Sequence, residues 1–180
     1  MIFEIKGFLD EDRCSSIIND NKSKAKSADI GVYIDDLGIP RKYNLTDRIK
    51  VFDSLGIYFP DIRSRAISIL SDKLNIPKKF LQQDEKFDFI KYGERGHFLW
   101  HKDVTKKNEF YTGVIHLNNN YEGGKLLCRN NLNSEIHELK NDIGTLYLFP
   151  SETWHSVTRI TSGFRYSLAT WFFSSYKSLI

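Results

Sequence analysis

The sequence predicts a mainly β, α+β protein in which two N-terminal helices cover one sheet of a β sandwich or barrel. Three observations predict this class. Helical periodicity is confined to the part of the chain before Asp84. After Asp84, short segments rich in β-branched and aromatic residues alternate with turn signals. With 41% hydrophobic and 27% charged residues among 180, the composition is that of one globular domain with a single core.

Two helices are predicted before Asp84. Asp10 can cap the first, which begins at Glu11 and has a stripe of apolar residues at Cys14, Ile17 and Ile18. The second begins near Pro60, and Pro77 prevents its continuation. Its apolar residues follow helical spacing at Ile62, Ala66, Ile69, Leu70 and Leu74. Between the helices, Gly31–Ser54 predicts one or two strands and an irregular loop.

Eight short strands are predicted after Asp84, and turns rich in Gly, Asn or Pro separate most of them. They span Phe87–Tyr92, Phe98–Asp103, Tyr111–Leu117, Lys125–Arg129, Glu135–Leu139, Thr145–Phe149, Trp154–Ile160 and Phe164–Phe173. Such a succession is typical of a sandwich or barrel. The pattern alone does not separate a jelly roll from other β arrangements.

Composition and charge argue against several classes of protein. A net charge of +3 without a basic stripe disfavours a nucleic-acid-binding surface. The sequence has no run of about 20 apolar residues that could cross a membrane. Charged residues interrupt the N-terminal segment, which in a signal peptide would be apolar. Two cysteines, Cys14 and Cys128, are too few for a disulfide framework or a cysteine zinc site. We expect a cytoplasmic protein without membrane or nucleic-acid partners.

One histidine and one carboxylate are spaced as metal ligands. In His101-Lys102-Asp103, the first and third side chains project from the same face of a strand, so both could bind one cation. His155, at the start of a later strand, is the best third ligand. Two histidines and a carboxylate form the facial triad of non-haem Fe(II) oxygenases, which leaves positions open for a bidentate cosubstrate and O₂. Zinc could bind the same three residues.

Arg165 follows His155 by ten positions. A hairpin centred on Ser162 would pair His155 with Ala169 and Arg165 with Arg159. Four residues would then share one face: His155, Arg165, Ser167 and Trp171. In that register Arg165 lies roughly 13 Å along the strand from His155. A short dicarboxylate could bridge the metal and the guanidinium, whose planar fork binds a carboxylate in a bidentate manner.

A series of motifs follows in order between Phe87 and Phe173. They are Tyr92, Phe98-Leu99-Trp100-His101-Lys102-Asp103, Ile115-His116-Leu117-Asn118, Tyr121-Glu122-Gly123-Gly124-Lys125-Leu126, Gly144–Pro150, Trp154–Val157 and Ser162–Leu168. Their order and spacing resemble the prolyl-4-hydroxylase-like group of Fe(II)/2-oxoglutarate-dependent oxygenases. The resemblance implies a double-stranded β-helix (a jelly-roll, cupin-like core) over residues 85–175. Residues 1–84 would be a helical support region within a single oxygenase domain, 1–180.

The resemblance also implies roles for individual residues. His101, Asp103 and His155 would bind Fe(II), and Arg165 would bind the distal carboxylate of 2-oxoglutarate. Tyr92, Ser167 and Trp171 would belong to the cosubstrate pocket. His116 occupies a position where many relatives have a tyrosine that donates to this carboxylate. Its neutral imidazole could donate a similar hydrogen bond, or it could be a core histidine. His97 and His137 are expected at the surface.

The implied activity is hydroxylation of an unactivated C–H bond with Fe(II), 2-oxoglutarate and O₂, with ascorbate as the reductant. A prolyl residue in a peptide or protein is the expected substrate, and a free amino acid or other small metabolite is the alternative. Substrate contacts are expected in Gly31–Ser54 and Lys106–Phe110, with Tyr33, Arg41, Tyr43 and Arg48 as candidates. The sequence does not indicate an oligomeric state.

Two other classes could use the same β fold. A non-catalytic metal-binding module would not need all of His101, Asp103, His155 and Arg165. A cupin-like zinc protein or hydrolase would explain the three ligands but would give Arg165 no role. Within the oxygenases, the presence of Asp103 argues against a halogenase, which has a small residue there. Trp171, where nucleic-acid demethylases have a second arginine, argues against nucleic-acid repair.

Overall fold

The computed structural model describes residues 1–27, 32–34, 40–42, 50–103, 108–131 and 133–175. Within these ranges there are two α-helices, α1 (Glu11–Asn21) and α2 (Pro60–Leu74), and a 3₁₀ turn at Lys78–Phe80. The strands in chain order are β1 (Phe3–Ile5), β2 (Lys26–Ser27), β3 (Val32–Ile34), β4 (Pro40–Lys42), β5 (Lys50–Val51), β6 (Asp53–Ile57), β7 (Leu81–Gln83), β8 (Phe87–Tyr92), β9 (His97–His101), β10 (Glu109–His116), β11 (Glu122–Gly123), β12 (Leu126–Arg129), β13 (His137–Leu139), β14 (Leu146–Pro150), β15 (Trp154–Val157), β16 (Ile160–Ser162) and β17 (Arg165–Ser174).

Both predicted helices are present, and local chemistry sets their ends. Asp10 caps α1, because its side chain accepts a hydrogen bond of 2.7 Å from the backbone N–H of Arg13. Helix α2 begins with Pro60, a residue suited to the first turn. It ends before Asn75, whose φ of 54° is left-handed and stops the helix. The predicted apolar stripes are buried at Cys14, Ile17, Ile62, Ala66 and Leu70 and partly buried at Ile18, Ile69 and Leu74.

Two antiparallel sheets face each other. The larger sheet has the order β1-β14-β10-β17-β8-β6-β2, and β7 also pairs with β17. The smaller sheet has the order β13-β12-β15-β9-β5. Two short pairs, β11–β16 and β3–β4, complete the described strands. This arrangement is the mainly β fold that the sequence predicted, with strands from before Asp84 added to both sheets.

The larger sheet has a different core on each face. On one face, apolar residues of both helices pack against strand residues such as Phe87, Ile115 and Leu168. On the other face, Val114 and Phe149 pack against Leu126 and other residues of the smaller sheet. The helices therefore cover one side of the larger sheet, as predicted, and a second core fills the space between the sheets. None of the helices in the described ranges is long and apolar enough to cross a membrane.

Strand positions agree with the predictions to within a few residues, but the predicted hairpin around Ser162 is wrong. The segment Trp154–Ile160 is not one strand, because β15 ends at Val157 and β16 begins at Ile160. Strand β15 pairs with β12 and β9, whereas β17 pairs with β10, β8 and β7. The chain thus passes from the smaller sheet to the larger one between His155 and Arg165. Arg165 lies opposite Tyr92 and not opposite Arg159.

Candidate active site

Strand pairing in the smaller sheet brings two histidines together. His101 is the last residue of β9, and it lies directly opposite His155 of β15. Asp103 follows two residues after His101, just beyond the strand end. One ligand atom from each of these three residues lies within 4.8 Å of the others. The structure therefore assembles the three candidate metal ligands at one place.

Backbone carbonyls orient both imidazoles. Nδ1 of His101 lies 2.7 Å from the carbonyl oxygen of Leu99, and Nδ1 of His155 lies 3.0 Å from that of Thr153. Because a carbonyl oxygen can only accept, Nδ1 carries the proton in each ring. In the neutral ring, Nε2 is then the nitrogen whose lone pair can bind a metal. Both Nε2 atoms face Asp103, at 3.6 Å from Oδ1 for His101 and 3.4 Å from Oδ2 for His155.

Three hydrogen bonds around Asp103 fix its position. Thr112 of β10 donates its hydroxyl to Oδ2 of Asp103 at 2.8 Å. The backbone N–H of Asp103 donates to the carbonyl of Ser151 at 3.0 Å, and the hydroxyls of Ser151 and Thr112 lie 3.2 Å apart. The larger sheet therefore supports a carboxylate whose neighbouring histidines belong to the smaller sheet. Such hydrogen bonds to ligating side chains commonly tune metal affinity.

The electrostatics of the three residues favour a bound cation. Burial raises the pKa of Asp103, but the charges and hydrogen bonds of His155 and His101, with Thr112, outweigh burial and hold it well below its usual range. Burial lowers the pKa of His155, but the Asp103 carboxylate outweighs that effect and raises it. Asp103 is thus an ionised carboxylate in a buried place, where a cation is the natural partner.

Arg165 is a buried guanidinium with spare donors. It is the first residue of β17 and only 1% exposed. Its Nη1 donates to the hydroxyl of Ser167 at 3.1 Å, and its Cζ lies 5.2 Å from the ring centroid of Tyr92. Nε and Nη2 have no hydrogen-bond partner among the described residues. A buried charge of this kind is costly without an anion, so the residue fits a carboxylate ligand.

One cavity between the sheets joins the triad to Arg165. Its polar lining comes from His101, Asp103, Thr112, His155, Arg165 and Ser167, and the rest is mainly apolar or aromatic, including Tyr92, Phe98 and Trp171. The predicted neighbours His155, Arg165, Ser167 and Trp171 all line this space, but they do so from two sheets and not from one hairpin. The predicted separation of about 13 Å along a strand therefore does not apply.

His116 lies beside this cavity without being part of its described lining. It is fully buried, and neither ring nitrogen has a hydrogen-bond partner among the described residues. Burial, followed by the charge of Arg165, lowers the pKa of His116 well below its usual value, so the imidazole is neutral. The tyrosine ring of Tyr147 meets it edge-on, with centroids 5.7 Å apart.

Sequence reasoning missed three residues of this region. Thr112 and Ser151 support Asp103, and Tyr121 has a buried hydroxyl without a partner in the described chain. The Tyr121-Glu122-Gly123-Gly124 motif was the only signal for the last of these.

Of the remaining candidates, His137 is exposed and His97 is partly exposed. The side chains of Tyr33, Arg41, Tyr43 and Arg48 lie outside the described residues, as do residues 104–107.

Residues 87–173 match the model of the 2OG-Fe(II) oxygenase superfamily. This segment of the chain belongs to that superfamily. The matched segment contains His101, Asp103, His155 and Arg165, so the residues brought together by the fold all lie within it. The protein is accordingly a 2-oxoglutarate-dependent dioxygenase, and the superfamily implies Fe(II) as the metal cofactor and 2-oxoglutarate and O₂ as cosubstrates. The rival assignments, a non-catalytic module and a cupin-like zinc protein, are not supported by this match.

Solved structures with a similar fold include three prolyl hydroxylases. A prolyl-4-hydroxylase from Pseudomonas putida is 17% identical, with a TM-score of 0.68 over 96% of this chain and 92% of that one. A viral collagen prolyl hydroxylase from Paramecium bursaria Chlorella virus-1, in complex with 2OG, is 16% identical with a TM-score of 0.64 over 96% of both chains. A prolyl hydroxylase from Trichoplax adhaerens, in complex with a peptide fragment of hypoxia inducible factor, is 20% identical with a TM-score of 0.67 over 96% and 83%. These similarities establish the double-stranded β-helix fold of the oxygenase.

Proposed function

We propose that this oxygenase hydroxylates a prolyl residue in a peptide or protein. One observation carries the oxygenase chemistry. A single cavity presents two imidazoles and a carboxylate at one place and a buried, partly unpaired guanidinium at another. The prolyl substrate is supported by the likeness of the fold to three prolyl hydroxylases over 96% of the chain.

We assign metal binding to His101, Asp103 and His155. Two neutral imidazoles and one carboxylate suit Fe(II) and leave coordination positions open. When bound, Fe(II) with 2-oxoglutarate and O₂ supplies the oxidant for C–H hydroxylation, and the cosubstrate leaves as succinate and CO₂. Leu99 and Thr153 hold the imidazoles through their carbonyls, and Thr112 holds the carboxylate. The ligand set is thereby pre-organised for the metal.

We assign the distal carboxylate of 2-oxoglutarate to Arg165. The unpaired Nε and Nη2 donors form one edge of the guanidinium, which binds a carboxylate through two parallel hydrogen bonds. Ser167 accepts from Nη1 and so fixes the rotation of the fork. Tyr92 packs beside the guanidinium, and Trp171 forms part of the same wall. These residues would hold the dicarboxylate in one orientation and exclude water from its apolar middle.

The test is succinate release from 2-oxoglutarate with Fe(II), O₂ and ascorbate, which we propose as the reductant. Asp103→Ala and Arg165→Ala are compared with Asp72→Ala and Arg159→Ala, which remove the same side chains from exposed positions. We expect iron-dependent turnover in the wild type and both controls, and its loss in the two site variants. Turnover that survives Asp103→Ala and Arg165→Ala would contradict the assignment of these residues.

The substrate is tested by adding matched peptides with and without proline to the same assay. Stimulation by the proline-containing peptide alone, with a mass increase of one oxygen on proline, is the expected result. Stimulation by free amino acids or other small metabolites instead would overturn the prolyl proposal and leave the oxygenase assignment in place.

A further inference from the structure

Phe52 lies at a point where the chain passes from one sheet to the other. Strand β5 ends at Val51 and pairs with β9 in the smaller sheet, whereas β6 begins at Asp53 and pairs with β8 in the larger sheet. Phe52 is the single residue between these two strands. Its side chain is partly buried and packs against the core between the sheets. Because the backbone on each side of it belongs to a different sheet, its ring is held relative to both.

The ring of Phe52 contacts one aromatic residue of each sheet. Its centroid lies 5.1 Å from that of Tyr92 on β8 and 5.6 Å from that of Phe98 on β9, with interplanar angles of 54° and 50°. Aromatic rings at these separations attract each other beyond the burial of their area. Tyr92 and Phe98 belong to the described lining of the cavity, and Phe52 does not. Phe52 therefore supports two wall residues without itself lining the cavity.

Each of the two wall residues packs on a side chain that we assign to the site. The ring of Phe98 is nearly parallel to the imidazole of His101, with centroids 3.5 Å apart and an interplanar angle of 16°. The ring of Tyr92 lies 5.2 Å from Cζ of Arg165, within the range of a cation–π contact. A continuous series of contacts thus joins the two ends of the site, in the order Arg165, Tyr92, Phe52, Phe98 and His101.

We propose that Phe52 is a positioning residue that orients both the metal ligand His101 and the cosubstrate ligand Arg165. The inference rests on the proposed function and extends it to a residue outside the cavity. Without the Phe52 ring, Tyr92 and Phe98 each lose a contact that restricts their movement. His101 and Arg165 are then less well ordered before a ligand binds, and binding has to order them. A loss at Phe52 should therefore weaken binding at both ends of the cavity.

The first test replaces the ring while keeping an apolar side chain. Calorimetry measures Mn(II) binding to the metal-free protein and 2-oxoglutarate binding to the Mn(II)-loaded protein. We expect Phe52→Leu to weaken both by roughly two- to tenfold, the range that one or two aromatic contacts supply. Phe52→Tyr keeps the ring, and its added hydroxyl can reach water from this partly buried position. This conservative variant should therefore bind both ligands as the wild type does.

Phe59→Leu is the matched control. Phe59 is also a partly buried phenylalanine, and its ring lies 6.2 Å from that of Phe87 in the core on the helix side of the larger sheet. The control should melt at a lower temperature than the wild type but bind Mn(II) and 2-oxoglutarate with unchanged affinity. A similar loss of affinity in Phe59→Leu would show that general destabilisation, and not the position of Phe52, causes the effect.

A double-mutant cycle tests whether Phe52 acts through its neighbours. In a Phe98→Leu background the contact path to His101 is already broken, so adding Phe52→Leu should cause no further loss of Mn(II) affinity. Its effect on 2-oxoglutarate should persist there, because the path through Tyr92 to Arg165 is intact. Independent, additive losses of Mn(II) affinity would contradict the proposed path.

Three results with Phe52 itself would overturn the inference. They are unchanged affinities in Phe52→Leu, a loss of affinity for only one of the two ligands, and losses in Phe52→Tyr as large as those in Phe52→Leu. A wild type that binds neither Mn(II) nor 2-oxoglutarate would overturn the proposed function instead. The failure of the inference and the failure of the proposed function are therefore distinguishable.

Discussion

His101 and His155 lie opposite each other on adjacent strands, with ring centroids 4.0 Å apart. Each ring is held by the carbonyl oxygen two residues before it in the chain. The pair is therefore positioned by β-sheet geometry, and the same kind of hydrogen bond to a backbone carbonyl orients both rings. Asp103 completes the group from outside the strand, and its orientation depends on Thr112 of the facing sheet.

Thr112→Val should weaken metal binding without removing a ligand. The substitution keeps the shape of the side chain but removes the hydroxyl that donates to Asp103 at 2.8 Å. Loss of such a supporting hydrogen bond commonly reduces metal affinity by about 10- to 100-fold, and we expect a reduction of at least about 10-fold here. Titration of the apoprotein with Mn(II) measures the change.

Thr170→Val is the matched control for that experiment. Thr170 is as buried as Thr112, at 1% exposure, but its hydroxyl accepts from Gln83. The control should lose stability while its metal affinity stays at the wild-type value. Equal metal affinities in both variants would show that the Thr112 hydroxyl does not support Asp103.

Gly124→Ala should destabilise the protein more than Gly7→Ala. The two glycines have nearly equal φ angles, +59° and +61°, so alanine costs about 1–2 kcal/mol of backbone strain at either position. At Gly7 a methyl group meets nothing within 4 Å, whereas at Gly124 it overlaps Ile160 and crowds Tyr121 and Arg165. Overpacking adds roughly 1–3 kcal/mol. Urea denaturation of both variants measures the difference, and equal losses would contradict the described packing.

Ser167→Ala should weaken cosubstrate binding by a few-fold, because it removes the acceptor that holds Nη1 of Arg165. A net hydrogen bond of about 1 kcal/mol corresponds to a several-fold change in affinity. The effect should appear in the KM for 2-oxoglutarate, with little change in kcat, since the hydrogen bond of the Ser167 hydroxyl joins it to Arg165 and not to a metal ligand. Ser68→Ala on helix α2 controls for loss of a serine hydroxyl. A fall in kcat with an unchanged KM would contradict this role.

His116 should make the protein less stable in acid. Its pKa in the folded protein is lowered well below 6.5 by burial and then by Arg165, whereas in the unfolded chain it is ordinary. Below pH 6.5 the unfolded state binds the additional proton, so the free energy of unfolding falls by up to about 1.4 kcal/mol per pH unit. Above that pH the contribution is absent. Urea unfolding of the wild type and of His116→Phe, measured across this pH range, isolates the effect. The free energy of unfolding of the variant should lose this pH dependence, and an equal pH dependence in both proteins would contradict the prediction.

Local sequence patterns sufficed for much of the fold. The strand at Phe87–Tyr92 and the helix start at Asp10 are found where predicted, because both depend on neighbouring residues. That His101, Asp103 and His155 lie close together could be expected, because residues two apart in an extended segment, such as His101 and Asp103, point to the same side. The role proposed for Arg165 comes from its place in the motifs, and its predicted strand partner was wrong.

The missed features depend on contacts between distant segments. Periodicity assigns Arg165 to a strand, but it does not say that this strand pairs with Tyr92 in the larger sheet. The end of β15 at Val157 also involves a distant segment, because the backbone N–H of Lys125 donates to the Thr158 hydroxyl and not to a backbone carbonyl of β15. Thr112 and Tyr121 matter through groups that they meet only after folding. Such pairings follow from the packing of the two sheets, which a single strand does not encode.

The most direct test of the central claim is a crystal structure of the protein with Mn(II) and 2-oxoglutarate, with the metal located by anomalous scattering. We predict one metal peak in contact with Nε2 of His101, Nε2 of His155 and a carboxylate oxygen of Asp103. The keto acid end of the ligand should contact the metal, and its distal carboxylate should lie about 3 Å from Arg165. A metal peak elsewhere, or a ligand whose distal carboxylate does not reach Arg165, would contradict this account of the site.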